Sequence, residues 1–293
     1  MKKKYLKSPG HFVLPADLKI SRAPVLTSIF DKALHCAEKT IVIDASNVWW
    51  ISPFTACWLT ALWDKIRAIG KTCKIIPPSF HDNARNQFLG LGIEQYLNPE
   101  ASQTLPKRFS TFPVRKLIEP NYPLAGQVTR ILTEKLRGVE NFHKALHFAI
   151  REIIENAFEH GQTDHCYMCA YSVPNKQIVR LCILDTGIGI PQSMRSNRRY
   201  SQLTDDLDVV ERSSEYGVSS KAEDRGIGLY LLRDVAEKNE AELTVLSGTA
   251  KIDISQKVKR TRLNTPFPGT AIKLMLKTRR EFYYIDVADW EAL

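Results

Sequence analysis

Three short segments constrain this chain more than anything else in it: Glu152-Ile-Ile-Glu-Asn156-Ala-Phe-Glu-His160, Asp185-Thr-Gly187-Ile-Gly189 and Arg225-Gly226-Ile-Gly228-Leu229. The first reads as a two-faced helix. Leu146, Ile150, Ile153 and Ala157 recur as one apolar stripe, while Glu152, Asn156 and His160, four apart, line another face. The second follows Val179-Arg-Leu-Cys-Ile-Leu184, a buried-strand pattern, so its aspartate stands at a strand end. Its glycines let backbone run close to whatever that end faces. The third opens a helix, with backbone N–H groups exposed at the positive end of the dipole. Taken singly they could be a solvated helix face, a plain turn and an ordinary helix start. In this order, with a long polar stretch between the last two, they describe one site.

The residue types suit an adenine nucleotide. An aspartate at a strand end, Asp185, can accept a hydrogen bond from an exocyclic amino group. Asn156 can offer its oxygen to a magnesium ion that also holds phosphates. Glu152, one turn earlier, is placed to orient or deprotonate a nucleophile near the terminal phosphate, and is the expected catalytic residue. Gly187, Gly189, Gly226 and Gly228 form the two glycine turns. Their apolar neighbours Ile190, Ile227 and Leu229 complete the expected binding set with Thr270, at the start of a core strand, and with Lys221 and Arg225, which can meet phosphates. No G-x-x-x-x-G-K-[ST] loop occurs, and Gly226-Ile-Gly228 lacks the preceding strand and third glycine of a dinucleotide fingerprint.

On these residues, positions from about 124 to 277 resemble the ATPase domain shared by gyrase, the heat-shock chaperone, sensor histidine kinases and a mismatch-repair protein, the GHKL family. The resemblance implies a Bergerat α/β sandwich with a mixed sheet. It gives Asn156 the magnesium role and Asp185 the adenine role, and makes 191–224 a mobile lid over ATP. That segment is polar and serine-rich, with no long apolar periodicity to dock it. The Glu-x-x-x-Asn pair with a histidine four later is similar to anti-sigma-factor serine kinases as much as to sensor kinases. His143-Lys144 and His147-Phe148 do not match a phosphoacceptor-histidine motif.

The first half alternates helix and strand: helices over 24–37, 53–69 and 83–91, and strands over 40–44 and 73–77. The class is therefore α/β throughout. Residues 38–97 resemble a STAS domain, through Asp44-Ala-Ser-Asn-Val-Trp-Trp-Ile51, the helix after it, Gly70 before a strand, and Phe88-Leu-Gly-Leu-Gly-Ile-Glu94. That family phosphorylates a serine in this turn, but here the acceptor position falls on Phe54. Ser52 and Thr55 are left as neighbouring hydroxyls, and Ser52 is a good N-cap before Pro53. The dense tryptophans Trp49, Trp50, Trp58 and Trp63 serve either the core or a partner surface. The expected organisation is a basic segment 1–20, a STAS-like domain 21–115, an ATP-binding domain 116–278 and a tail 279–293. In the second half, helices are expected over 124–137, 141–160 and 227–238, and strands over 165–173, 177–184, 242–247, 251–257 and 269–276.

The chain has 293 residues, 44% hydrophobic and 25% charged, enough for two ordinary domains with full cores. The net charge of +9 is patchy, with runs at Arg195-Ser-Asn-Arg-Arg199 and Lys257-Val-Lys-Arg-Thr-Arg262. Nucleic acid is disfavoured, because no nucleic-acid fold signature accompanies the charge. No signal peptide or membrane span is expected, and six scattered cysteines with a lone Cys166-x-x-Cys169 suit a reducing cytoplasm. The expected function is that of a magnesium-dependent, ATP-binding regulatory protein, an ATPase or a serine/threonine kinase of the anti-sigma type. The STAS-like half would dock a protein partner or a second copy. The alternatives are a non-catalytic ATP-gated switch and a nucleic-acid-binding effector.

Overall fold

The computed structural model describes residues 5–100, 111–134, 140–173, 177–220, 226–239 and 241–278. The chain opens with β1 (Leu6–Ser8), β2 (His11–Val13), α1 (Ala23–His35), β3 (Thr40–Asp44), α2 (Pro53–Ala68), β4 (Thr72–Ile76), α3 (Asp82–Gly90) and α4 (Ile93–Leu97). The strands form one sheet in the order β1-β2-β3-β4, an antiparallel hairpin followed by parallel neighbours. Residues 1–20, expected to stand apart as a basic segment, thus contribute two strands. Three-residue strands are too short to carry a readable alternation.

The organising element is α2. Pro53 through Leu62 are buried without a break, so this helix has no solvent stripe and must be covered on both sides. Its start is fixed as expected. Ser52 is the N-cap, its Oγ accepting from the Thr55 N–H at 3.4 Å, and Pro53 follows in the first turn. Thr55 Oγ1 donates to the Leu18 carbonyl at 2.5 Å.

The second half comprises β5 (Thr111–Leu117), α5 (Tyr122–Thr133), α6 (Glu140–Glu159), β6 (Cys166–Val173), β7 (Ile178–Asp185), α7 (Gly189–Arg195), α8 (Asp206–Arg212), α9 (Gly228–Lys238), β8 (Glu242–Ile254) and β9 (Val258–Lys277). Its sheet runs β5-β6-β7-β9-β8 with every pairing antiparallel, where a mixed sheet was expected. The three strands expected after α9 are two long ones, because β8 and β9 continue past bulges near Gly248 into one extended hairpin. The boundary expected at 115/116 falls inside β5. This strand hides in a Pro- and Ser-rich stretch because Pro113 is tolerated at a sheet edge.

Both faces of the second sheet are covered. On one side α5, α6 and α9 share a core with Met168, Leu181, Ile183, Val245 and Leu274. On the other, Phe30 of α1 and Cys57, Trp58 and Ala61 of α2 belong to the same apolar cluster as Tyr171, Cys182, Leu184, Phe267 and Ala271. That cluster continues to Ile41 and Ile43 of the first sheet. The layers are therefore sheet, helices, sheet, helices, and one core crosses between the halves. The tryptophans divide accordingly: Trp58 is fully buried, whereas Trp49 is 42% exposed.

The same pleat explains the lone C-x-x-C. Residues three apart on a strand point to opposite faces. Cys166 joins the core under α6 and Cys169 the core under α2, so the two thiols cannot share a metal or a disulfide. Burial raises the pKa of both thiols. No helix among the described residues is long and apolar enough to cross a membrane.

Candidate nucleotide site

A cleft opens between α6, the first turn of α9, the ends of β7 and β9, and the α7–α8 segment. Asn156, Asp185, Gly189, Ile190, Gly226, Leu229 and Thr270 from the expected set all line it. Ile153, Ala157, Ile183 and Ile272 supply an apolar wall that sequence reading assigned only to the core.

Asp185 ends β7, opposite Thr270 of β9, and is 5% exposed. Its Oδ1 accepts from the Gly187 N–H at 2.9 Å and the Thr270 N–H at 3.3 Å. Its Oδ2 has no hydrogen-bond partner among the described residues. Burial pushes the carboxyl up to about 7, against the pull of the two amides and of Lys65. The strand end thus holds one oxygen rigidly by backbone and leaves the other for a donor in the cleft.

Gly187 does not line the cleft but shapes it. A Cβ there would stand 1.9 Å from the Gly161 carbonyl oxygen, which also accepts from the Ile188 N–H at 2.8 Å. The turn after β7 therefore lies directly on the end of α6. Ser247, fully buried in β8, fastens the next residues: its Oγ accepts from the Ile190 N–H at 2.9 Å and donates to the Gly269 carbonyl at 2.8 Å. Gly161 and Ser247 were both missed. A glycine just past the helix and a serine within an apolar strand were the available signals.

At the other end, α9 begins against α6. A Cβ on Gly228 would come within 2.4 Å of the Glu152 Cβ, so glycine is needed for the two helices to meet. Glu152 therefore backs the α9 N-terminus and is not on the cleft lining. Ile227 packs into the core under α6. Lys221 and Arg225 lie outside the described residues. Glu155 faces elsewhere, 3.7 Å from Arg151 and beside Tyr122 of α5, whose phenol its hydrogen bond pushes up.

Asn156 is half-buried in the cleft, and its side-chain amide makes no hydrogen bond among the described residues. One protein oxygen beside a polyphosphate suits magnesium, which keeps waters and leans on substrate phosphates. No cluster of three His, Cys, Asp or Glu side chains able to hold a metal occurs among the described residues.

The segment 191–224, expected to be a mobile lid, is folded as far as it is described, to residue 220. Met194, Tyr200 and Val209 make a small core of their own. Asp206 takes Arg195 Nη2 at 2.7 Å on one oxygen and the Thr249 N–H and Oγ1, both at 2.8 Å, on the other. Arg262 pairs with Asp205 at 2.6 Å, and Arg260 with Asp208 and Glu211. Arg195 therefore ties α7 to α8, and Arg260 and Arg262 clamp α8 to the hairpin, which pairs three of the seven basic residues in the two runs. A second tie crosses the cleft: Ser220 Oγ lies 2.6 Å from His160 Nδ1 and 3.0 Å from Ser193 Oγ.

A helix-backed sheet with an aspartate at a strand end, an asparagine on the facing helix and a glycine turn opening the next helix defines a nucleotide-binding class. The family model described as "Histidine kinase-, DNA gyrase B-, and HSP90-like ATPase" matches residues 142–280, and an ATPase domain of that family is found there. The match spans slightly under half of the chain and contains all of the cleft. A search of curated proteins gave no match.

Proposed function

We propose that this chain binds ATP with magnesium in the cleft and acts as a regulatory ATPase, or as a kinase that passes the terminal phosphoryl group to a protein serine or threonine. The observation that carries the reading is Asp185, with one oxygen fixed by two backbone amides and the other open to the cleft. Ser247 and the Gly161 carbonyl hold the adenine end, while the α9 N-terminus and Asn156 face the phosphates. Magnesium, when bound with ATP, would neutralise phosphate charge, with Asn156 as its protein ligand.

Asp185→Asn tests this. The substitution keeps size but can set an amide donor against the adenine amino donor. Affinity should fall about tenfold or more, since a buried unsatisfied pair costs about 1–3 kcal/mol. Wild-type affinity should also rise with pH through about 7, as Asp185 ionises and becomes the better acceptor. The Asn variant should show a flat profile. The raised pKa has the opposite effect on the free protein. Between roughly pH 4 and 7 the folded state holds a proton that the unfolded state has released, so this group's contribution to stability falls as pH rises. Equal ATP affinity in both proteins would remove the adenine assignment.

The first half is read as a STAS-like docking module. Its antiparallel hairpin, parallel strands and intervening helices support that reading. Phe54 at the acceptor position is 1% exposed, and the Ser52 and Thr55 hydroxyls are engaged at the helix start, which disfavours a phosphorylated switch there. A second reading, a nucleotide-gated switch without turnover, is favoured by the His160–Ser220–Ser193 tie. A nucleotide entering the cleft meets these side chains and so changes what the α7–α8 segment holds.

A further inference from the structure

Behind the sheet, on the side away from the cleft, one carboxylate gathers donors from both halves. Asp64 of α2 accepts at the single oxygen Oδ2 from Tyr96 OH at 2.8 Å, Tyr167 OH at 2.6 Å and Lys116 Nζ at 2.9 Å. Tyr96 belongs to α4 of the first half. Tyr167 and Lys116 are cross-strand partners on β6 and β5 of the second sheet. Burial first, and then the Asp64 carboxylate, raise the pKa of both phenols, so both remain donors at neutral pH. The tyrosine rings meet edge to face at 6.4 Å, and Tyr167 is fully buried. Three donors on one oxygen of a partly buried carboxylate, two of them charge-assisted phenols and one a cation, make a joint between the halves.

Strand register connects this joint to the cleft. Tyr167 pairs with Leu184, and the preceding pair is Cys166 with Asp185. The anchor on one face of the sheet is therefore one residue away from the adenine aspartate on the other. Lys65, next to Asp64 in α2, contributes a favourable charge at Asp185.

We propose that Asp64 is a positioning residue for the nucleotide site: through Tyr167 and Lys116 it fixes the strand ends that carry Asp185, so that the first half sets how well the cleft selects adenine. The proposal rests on the reading of Asp185 as the adenine acceptor. A hydrogen bond weakens steeply with misalignment, so a small shift of the β7 end costs selectivity before it costs binding of the phosphates.

The test uses the full-length protein and two nucleotides, ATP and inosine triphosphate, which carries an acceptor oxygen where adenine has its amino donor. Wild type should prefer ATP by about tenfold or more, as expected of a site built to pair a polar group. Asp64→Asn should narrow that ratio at least about threefold, and Tyr167→Phe, which removes only a hydroxyl, should move it the same way. Melting temperatures are read in parallel. Lower melting temperatures with an unchanged ratio in both variants would mean a merely structural joint and overturn the proposal. If Asp64→Asn does not fold, an unchanged ratio in folded Tyr167→Phe overturns it. A wild type that binds neither nucleotide, or both equally, overturns the Asp185 reading and the proposal with it, and the variants are not needed to see this.

Discussion

Glu152→Gln is expected to leave ATP affinity within about twofold and to slow turnover by about 10²–10⁴-fold, the usual cost of losing a general base. The carboxylate sits one turn before Asn156 and against the first residue of α9, off the cleft lining, so as the proposed base it would act through a water at that helix end. Gln keeps the side chain's length and the packing against Gly228, so the change isolates the loss of a base. Steady-state phosphate release and calorimetric affinity, measured on the same preparations, separate chemistry from binding. Wild-type turnover in the variant would remove Glu152 as the base. Glu155 would not replace it, since it faces Arg151 and Tyr122. A wild type that binds ATP without turnover would favour the gated switch.

Trp58→Ala is expected to destabilise the whole chain by about 3–5 kcal/mol, the range for truncating a large buried aromatic. Trp58 is fully buried: it packs edge to face on Phe30 at 6.1 Å and lies in the cluster that reaches Tyr171 and Phe267. Its indole N–H is buried without a partner among the described residues, so removing it recovers a little of the lost packing. Because that cluster is continuous, both halves should unfold in one transition that the mutation shifts as a unit. Denaturation followed by hydrogen exchange in α2 and in β6–β7 checks this. Two transitions, with the second sheet unmoved by the mutation, would contradict the shared core.

The same continuity limits what truncation can show. Cutting at residue 115 divides β5 and uncovers Tyr171, Cys182 and Phe267, so a shortened chain would report the loss of its cover as well as the loss of a docking module.

The positions of several candidate site residues were legible: Asp185 ends a strand, Asn156 lies on the helix that lines the same cleft, and glycines stand where backbones touch. The major helices were legible from caps and periodicity, as at Ser52-Pro53. What stayed hidden depended on partners distant in sequence. Nothing local in Pro53–Leu62 says that the second sheet covers it, and a largely apolar stretch of helix is compatible with several neighbours. Asp64 reads as an ordinary polar residue near a helix end until Tyr96, Lys116 and Tyr167 converge on it. The serine-rich stretch after Pro191 shows no apolar periodicity because Met194, Tyr200 and Val209, which form its small core, are too widely spaced. The basic run 257–262 reads as a surface patch because its acids lie on α8, some fifty residues earlier.

Calorimetric titration of the full-length wild-type protein with ATP, with and without magnesium, decides whether the cleft is a nucleotide site. The predicted result is one saturable site per chain that binds more tightly when magnesium is present, and that is weakened by Asp185→Asn. No saturable binding under either condition, or binding indifferent to Asp185, would mean that the cleft is not an ATP site.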